Sequence, residues 1–352
     1  MRNPEVGSRT LSMGEYLLDR HRRLRPQLPF RARSEQEWRV WRERFSRKLV
    51  ELMGEWPRRC PLEPQIIERT REDGYTREKV IFESERGMAV VAYVLVPDGA
   101  RRGAKLPGLL CAHGHGSGKD DVVGIHHGEP ARVSKIADLN YDYARQFAQR
   151  GYVVIAPDWR GFGERRLGYD SPGRDGCNVA FLKALMLGLN PLTLNVWDAR
   201  RCLDYLQTRP EVNRARLGCM GLSYGGTITL YTAALDGRVK AAIISCYLNE
   251  FGSYALTLGN FCGSQTVPGL LAYGEMADVA ALIAPRPLLV EMGRLDYGFP
   301  IEHSRRAYRR LARAYRVLGA HDRLARDEFE GGHRFSGRLA FEWMERWLGG
   351  AS

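Results

Sequence analysis

No window of about 18 uncharged apolar residues occurs in the chain, which argues against a membrane-spanning helix. The stretch from Met1 to Phe30 is charged throughout and has no apolar segment of the kind a secretory leader needs, so the expectation is a cytoplasmic protein that does not engage membranes. C-x-x-C pairs are missing as well. The seven cysteines, Cys60, Cys111, Cys177, Cys202, Cys219, Cys246 and Cys262, are scattered and odd in number. They read as small buried hydrophobes in a reducing compartment, not as a disulfide framework or a zinc site. Internal repeats and low-complexity linkers are absent, which excludes a solenoid or an array. Acidic residues are the scarcer charge, 41 against 53 Lys and Arg, for a formal net charge of +12. Such a surplus can mark a nucleic-acid binder, yet the basic residues are dispersed and heavily arginine, so no nucleic-acid partner is expected.

What is present is a chain of 352 residues, 44% hydrophobic, long enough for one large α/β domain with additions. Its organising stretch is Arg216 to Thr227. A short apolar run with strand character ends at Gly221-Leu222-Ser223-Tyr224-Gly225, and a helix-compatible run to Leu235 follows at once. This is the G-x-S-x-G pattern of a nucleophile elbow, in which a strained turn exposes a serine hydroxyl at the carboxyl end of a strand. Gly221 and Gly225 have a steric reason there, because β-carbons on either side of so sharp a turn would collide. The helix beyond Ser223 would aim its free amides at charge developing on a substrate oxygen.

Upstream, Ser34-Glu35-Gln36-Glu37 has the form of a capping box, with Trp38, Trp41, Phe45, Leu49 and Leu52 at helical spacing behind it. A shorter helix is expected around Met13 to Arg23. Residues 1–75 therefore read as a helical N-terminal extension, packed on the main domain where it could cover the active site or contact another subunit. Arg39, Arg42, Arg44, Arg47 and Lys48 would form its solvated face. From Lys79 the period changes: Val80 to Phe82 and Met88 to Val96 read as an antiparallel hairpin. Strands at Leu106 to His113, Tyr152 to Asp158, Leu217 to Ser223, Val239 to Leu248, Pro287 to Gly293 and Leu324 to Glu330 then alternate with helices. Such alternation requires a mostly parallel sheet with helices on both faces. Residues 160–193 and 249–284 break it, and since each follows a strand end they are expected to border the pocket as lid-type insertions.

A serine hydroxyl needs a base to take its proton and a third group to orient that base. His333, in Glu330-Gly331-Gly332-His333, follows the last expected strand, and Asp296 lies just past the one before it. The order Ser223, Asp296, His333 is that of an α/β-hydrolase triad. The oxyanion donors are expected to be the amides of Tyr224 and His115, the latter in the loop His113-Gly114-His115-Gly116 after the first parallel strand. Asp158 and Glu164 follow the wrong strand for a triad acid and are assigned to pairing with Arg160 or Arg165. Glu250 is a reserve acid, and Glu330 is expected to lie within its strand. His126-His127 lacks a third ligand at useful spacing, so no metal is expected. His21, His303 and His321 read as surface residues.

Taken together, His113-Gly114-His115-Gly116, Pro157-Asp158 with Gly161-Phe162-Gly163-Glu164-Arg165, the serine pentapeptide with Gly226, Ala284-Pro285-Arg286-Pro287 with Asp296, and Gly331-Gly332-His333 resemble α/β-hydrolases of the dienelactone hydrolase and acetyl xylan esterase-like group. The resemblance spans roughly residues 76–352. It implies an α/β-hydrolase fold with an eight-stranded sheet, a triad of Ser223, His333 and Asp296, and carboxylic-ester hydrolysis without a cofactor. Ser223 stands where dienelactone hydrolases carry a cysteine. The expected function is a serine carboxylesterase acting on a small-molecule ester of small to medium acyl length, acetylated carbohydrate among the candidates. Amide or peptide cleavage by the same triad and a non-catalytic binding role on the same fold are the alternatives, and a homo-oligomer is left open.

Overall fold

The computed structural model describes residues 10–102, 105–168, 176–259 and 262–349. Residues 1–9 of the expected extension, and residues 169–175 and 260–261 within the two expected insertions, lie outside the described residues. One sheet organises the rest. Its strands are β1 (Gln65–Glu72), β2 (Tyr75–Glu85), β3 (Met88–Pro97), β4 (Leu106–Ala112), β5 (Val153–Pro157), β6 (Val212–Leu222), β7 (Val239–Ser245), β8 (Leu288–Gly293) and β9 (Leu324–Phe329). They lie in the order β1-β2-β3-β5-β4-β6-β7-β8-β9. The strands β1, β2 and β3 pair antiparallel, β3 pairs antiparallel with β5, and all remaining pairs are parallel.

The mostly parallel sheet is as expected, but among the described residues it has nine strands in place of eight. The additional strand, β1, falls inside the segment expected to be a helical N-terminal extension. Residues 65–69 of β1 are exposed, so neither face is buried and no alternation of polar and apolar residues marks it. Its backbone pairs with β2, and its side chains add ion pairs from Arg69 to Glu78 and from Arg71 to Asp98.

Alternating residues of the central strands feed two separate cores. Leu110 and Ala112 of β4, and Ala242 and Ile244 of β7, face the core that contains Phe45, Tyr224 and Leu311. Their neighbours Leu109, Cys111, Ala241 and Ile243 face the core of Phe147, Trp343 and Met344. A strand buried on both faces carries an unbroken apolar run, and helices must then cover both sides. The helices Glu35–Leu52, Pro191–Thr208, Tyr224–Leu235 and Ile301–Val317 cover one side, Tyr143–Gln149 and Ala340–Leu348 the other.

The N-terminal extension is anchored by the helix Glu35–Leu52. Ser34 caps it by accepting a hydrogen bond from the Glu37 amide, and Trp38, Trp41, Phe45 and Leu49 are buried. Arg39, Arg42, Arg44 and Arg47 are exposed, as expected, while Lys48 is half-buried over the Tyr273 ring. The preceding segment is tied to the second insertion: the amides of Gln27 and Leu28 donate to the carbonyls of Ala272 and Tyr273, and that of Phe30 donates to Asp278. The extension thus completes the outer wall of that insertion.

Phe45, 1% exposed, stacks on Trp41 and lies against Gly274 of the insertion. Phe45→Ala is expected to cost about 3–5 kcal/mol of stability by chemical denaturation, as for other large-to-small core changes. Val40→Ala, on the exposed face of the same helix, should stay within about 0.5 kcal/mol. Equal losses for the two would contradict this packing.

Candidate active site

Strand β6 ends at Leu222 and the helix Tyr224–Leu235 begins two residues later, so Ser223 must turn the chain alone. It does so at φ 62° and ψ −120°, a conformation that costs a residue with a β-carbon about 1–3 kcal/mol. The glycines of the pentapeptide permit the crossing. A β-carbon on Gly225 would sit 1.9 Å from the carbonyl oxygen of Ala112, and one on Gly221 would sit 2.4 Å from the backbone of Gly225. The Ser223 amide donates to the Ser245 carbonyl at 3.0 Å, tying the turn to the end of β7.

His333 and Asp296 meet as the sequence suggests. Nδ1 of His333 donates to Oδ2 of Asp296 at 2.7 Å. The other carboxylate oxygen accepts from the amides of Gly298 and Phe299 at 3.0 and 3.1 Å, so the buried acid cannot swing away. Phe299 also stacks on the imidazole, with centroids 5.5 Å apart. The two loops pass so closely that a β-carbon on Gly293 would lie 2.4 Å from the Gly332 carbonyl oxygen. Ser223, Asp296, His333 and His115 line one cavity of about 410 Å³, together with Phe299, Cys262 and Gln265.

The loop after β4 lies directly against the elbow, since a β-carbon on Gly114 would stand 3.2 Å from Cβ of Ser223. Its shape is fixed by buried side chains. Nδ1 of His113 donates to the Gly114 carbonyl at 2.7 Å, and Nε2 therefore accepts from the Trp159 amide at 3.2 Å. Burial lowers the pKa of this imidazole despite nearby Asp158, so it is a neutral strut. The Gly114 amide donates to the Tyr141 hydroxyl at 2.6 Å. That bond engages the Gly114 amide within the protein. Tyr224 occupies the first turn of its helix, where amides have no intrahelical acceptor.

The rival acids are elsewhere. Asp158 and Glu164 are structural, but not through the arginines expected. Asp158 accepts from the Lys119 amide and ammonium at 2.7 and 2.9 Å, and Glu164 pairs with Lys119 and Lys79. Arg160 and Arg165 instead converge on Asp198 of the helix Pro191–Thr208. Burial works against the charge of Asp198, yet these two guanidiniums outweigh it and its pKa is lowered. The local sequence around Asp158 gave no sign of an acid about two helical turns into another element. Glu250 binds His303 and Arg306, outside the cavity lining. Glu330 lies one residue beyond β9 and is exposed, paired with Arg294, because the loop to His333 starts there. His321 is exposed, whereas His21 and His303 are half-buried. His127 bonds Asp120, and neither it nor His126 joins a compact group of metal donors among the described residues.

The two insertions divide the surroundings. Gly259, Cys262 and Gln265 of the second border the Ser223 cavity. Among the described residues, the first borders an adjoining cavity with Lys119, Asp158 and Cys177, and His115 lines both. One supporting residue escaped sequence reasoning altogether. Glu291, buried on β8, accepts from the Ser245 hydroxyl at 2.6 Å and from the amides of Ser336 and Gly337 at 3.3 and 3.1 Å, bracing the loop that carries His333. An isolated acid inside an apolar strand run was its only signal.

Comparison with known proteins adds four findings. A family model, Abhydrolase family, matches residues 7–330. A Bacillus subtilis protein named "Putative hydrolase YtaP" is 26% identical over 311 residues, which cover 86% of this chain and 98% of that protein. Among solved structures, a "putative acetyl xylan esterase" from Bacteroides fragilis superposes with a TM-score of 0.76 at 22% identity, covering 92% of this chain and 84% of that one. A glucuronoyl esterase from Solibacter usitatus gives 0.66 at 15% identity, covering 92% and 96%. At these identities the structural likeness establishes a shared fold.

Burial pushes the Glu291 carboxyl up from 4.5 to about 7, against its three donors. The folded chain therefore holds this proton more tightly than the unfolded one, and the stability tied to it is lost as pH rises from about 4.5 through about 7. Glu291→Gln cannot titrate, so its melting temperature should fall less steeply than wild type across that window. Parallel curves for the two proteins would contradict the assignment.

Proposed function

The chain belongs to the Abhydrolase family, and on that premise we propose that it is a serine carboxylesterase for esters of small to medium acyl length. The observation that carries the reading is the hydrogen-bonded Asp296–His333 pair lining one cavity with a serine at an elbow. In the proposed cycle His333 takes the proton of Ser223 as the hydroxyl attacks the ester carbonyl. Asp296 holds the imidazole in the tautomer whose Nε2 accepts, and stabilises the cation once formed. The oxyanion of the tetrahedral intermediate would be met by the amides of Tyr224 and His115, each worth about 3 kcal/mol in comparable sites. Collapse expels the alcohol, which receives the proton from His333. Water, activated by the same base, then releases the acid.

The cavity of about 410 Å³ suits a modest acyl group better than a long chain. The names of the structural neighbours, an acetyl xylan esterase and a glucuronoyl esterase, make esters of carbohydrates reasonable first substrates to try. Nothing in this chemistry calls for a cofactor.

Ser223→Ala should lower kcat on p-nitrophenyl acetate and butyrate by at least about 10³-fold. Asp296→Asn should lower it by about 10³–10⁴-fold, because the imidazole then takes the wrong tautomer. Glu250→Gln should leave kcat essentially unchanged. Faster turnover of the matching anilides than of the esters would move the assignment to an amidase, and absence of any turnover would favour a binding protein on this fold.

A further inference from the structure

His115 stands where the Ser223 cavity and the adjoining polar cavity meet. On its imidazole converge two thiols from segments far apart in the chain. Sγ of Cys262 lies 3.0 Å from His115 Nε2, and Sγ of Cys177 lies 3.5 Å from the same nitrogen. All three donor atoms fall within 4.8 Å of one another, and both cysteines are buried. The sequence presents these cysteines as isolated hydrophobes; folding makes them neighbours.

The segments are docked at this point by other contacts. The Gly263 amide, next to Cys262, donates to the side chain of Asn178, next to Cys177, at 2.7 Å. A β-carbon on Gly263 would collide with the Phe181 ring at 2.2 Å, so the close approach of the two insertions depends on that glycine. The thiol pair is therefore a fixed feature of the junction between the insertions, not a chance of two surface side chains.

One imidazole and two thiols make a borderline-soft donor set that suits Zn²⁺ and disfavours Mg²⁺ or Ca²⁺. Tetrahedral zinc with ordinary Zn–N and Zn–S bonds sets nitrogen and sulfur about 3.6 Å apart. Cys177 already stands at that separation, and Cys262 needs to withdraw by about half an ångström. We propose that His115, Cys177 and Cys262 form a binding site for a Zn²⁺-class cation, which fastens both insertions to the loop carrying the His115 amide. The fourth coordination position is open to water or to a ligand in either cavity. Binding releases the two thiol protons to solvent and involves no change of oxidation state. The proposal does not rest on ester hydrolysis, so it stands or falls separately from the proposed activity.

The test is a titration of the full chain, reduced and kept free of oxygen, with Co²⁺. The expected result is a thiolate-to-cobalt charge-transfer band in the near ultraviolet that saturates at one metal per chain and disappears when Zn²⁺ is added. Cys177→Ser and Cys262→Ser should each reduce the band by about half or abolish it, one thiolate being lost from two. Should either variant fail to fold, X-ray absorption of the zinc-loaded wild type decides: a first shell with two sulfurs and one or more nitrogens supports the site. No charge-transfer band in the wild type, a band unchanged in folded serine variants, or a zinc shell without sulfur overturns it.

Discussion

The structure depends on one steric constraint, the crossing of β4, the end of β6 and the start of the helix Tyr224–Leu235. With Gly225 less than a β-carbon's reach from the Ala112 carbonyl, the helix can begin directly behind the strand. Ser223 is left to absorb the turn in a strained conformation. The same closeness brings the His113–Gly116 loop against Ser223, so the proposed nucleophile and the proposed oxyanion amides lie side by side. Replacing any of these glycines would move all of them together.

Around that crossing, buried polar groups hold loops that carry no regular structure. His113 and Tyr141 fix the loop after β4, Glu291 braces the loop of His333, and two amides lock the carboxylate of Asp296. Farther out, Asp198 gathers Arg160 and Arg165, while Lys119 bridges Asp158 and Glu164. Such groups are costly to bury and strongly destabilising when one partner is removed. They specify where each strand-end loop lies, which packing of apolar side chains alone would leave loose.

Much of this was legible in the chain. The capped N-terminal helix, the hairpin, the central parallel strands and the order of Ser223, Asp296 and His333 all follow from local signals: caps, periodicity and turn glycines. What escaped has a common cause. Strand β1 buries no face and so has no pattern to read. The partner of Arg160 and Arg165 lies on a helix more than 30 residues away, and no spacing rule joins them. Glu291 looks like an interruption until Ser336 and Gly337 fold back over it, and the cysteines at 177 and 262 look inert until two insertions meet. Contacts made across long loops leave no periodic trace, and those are the contacts that shape the cavity around Ser223, Asp296 and His333.

The central claim, that the strained serine is the nucleophile, is tested most directly by covalent labelling. The full chain is treated with a fluorophosphonate and the modified peptide identified by mass spectrometry. The account predicts a single adduct on Ser223, lost in His333→Ala because the hydroxyl then has no base. An adduct on a different residue, or none on a folded protein that still hydrolyses esters, would contradict it.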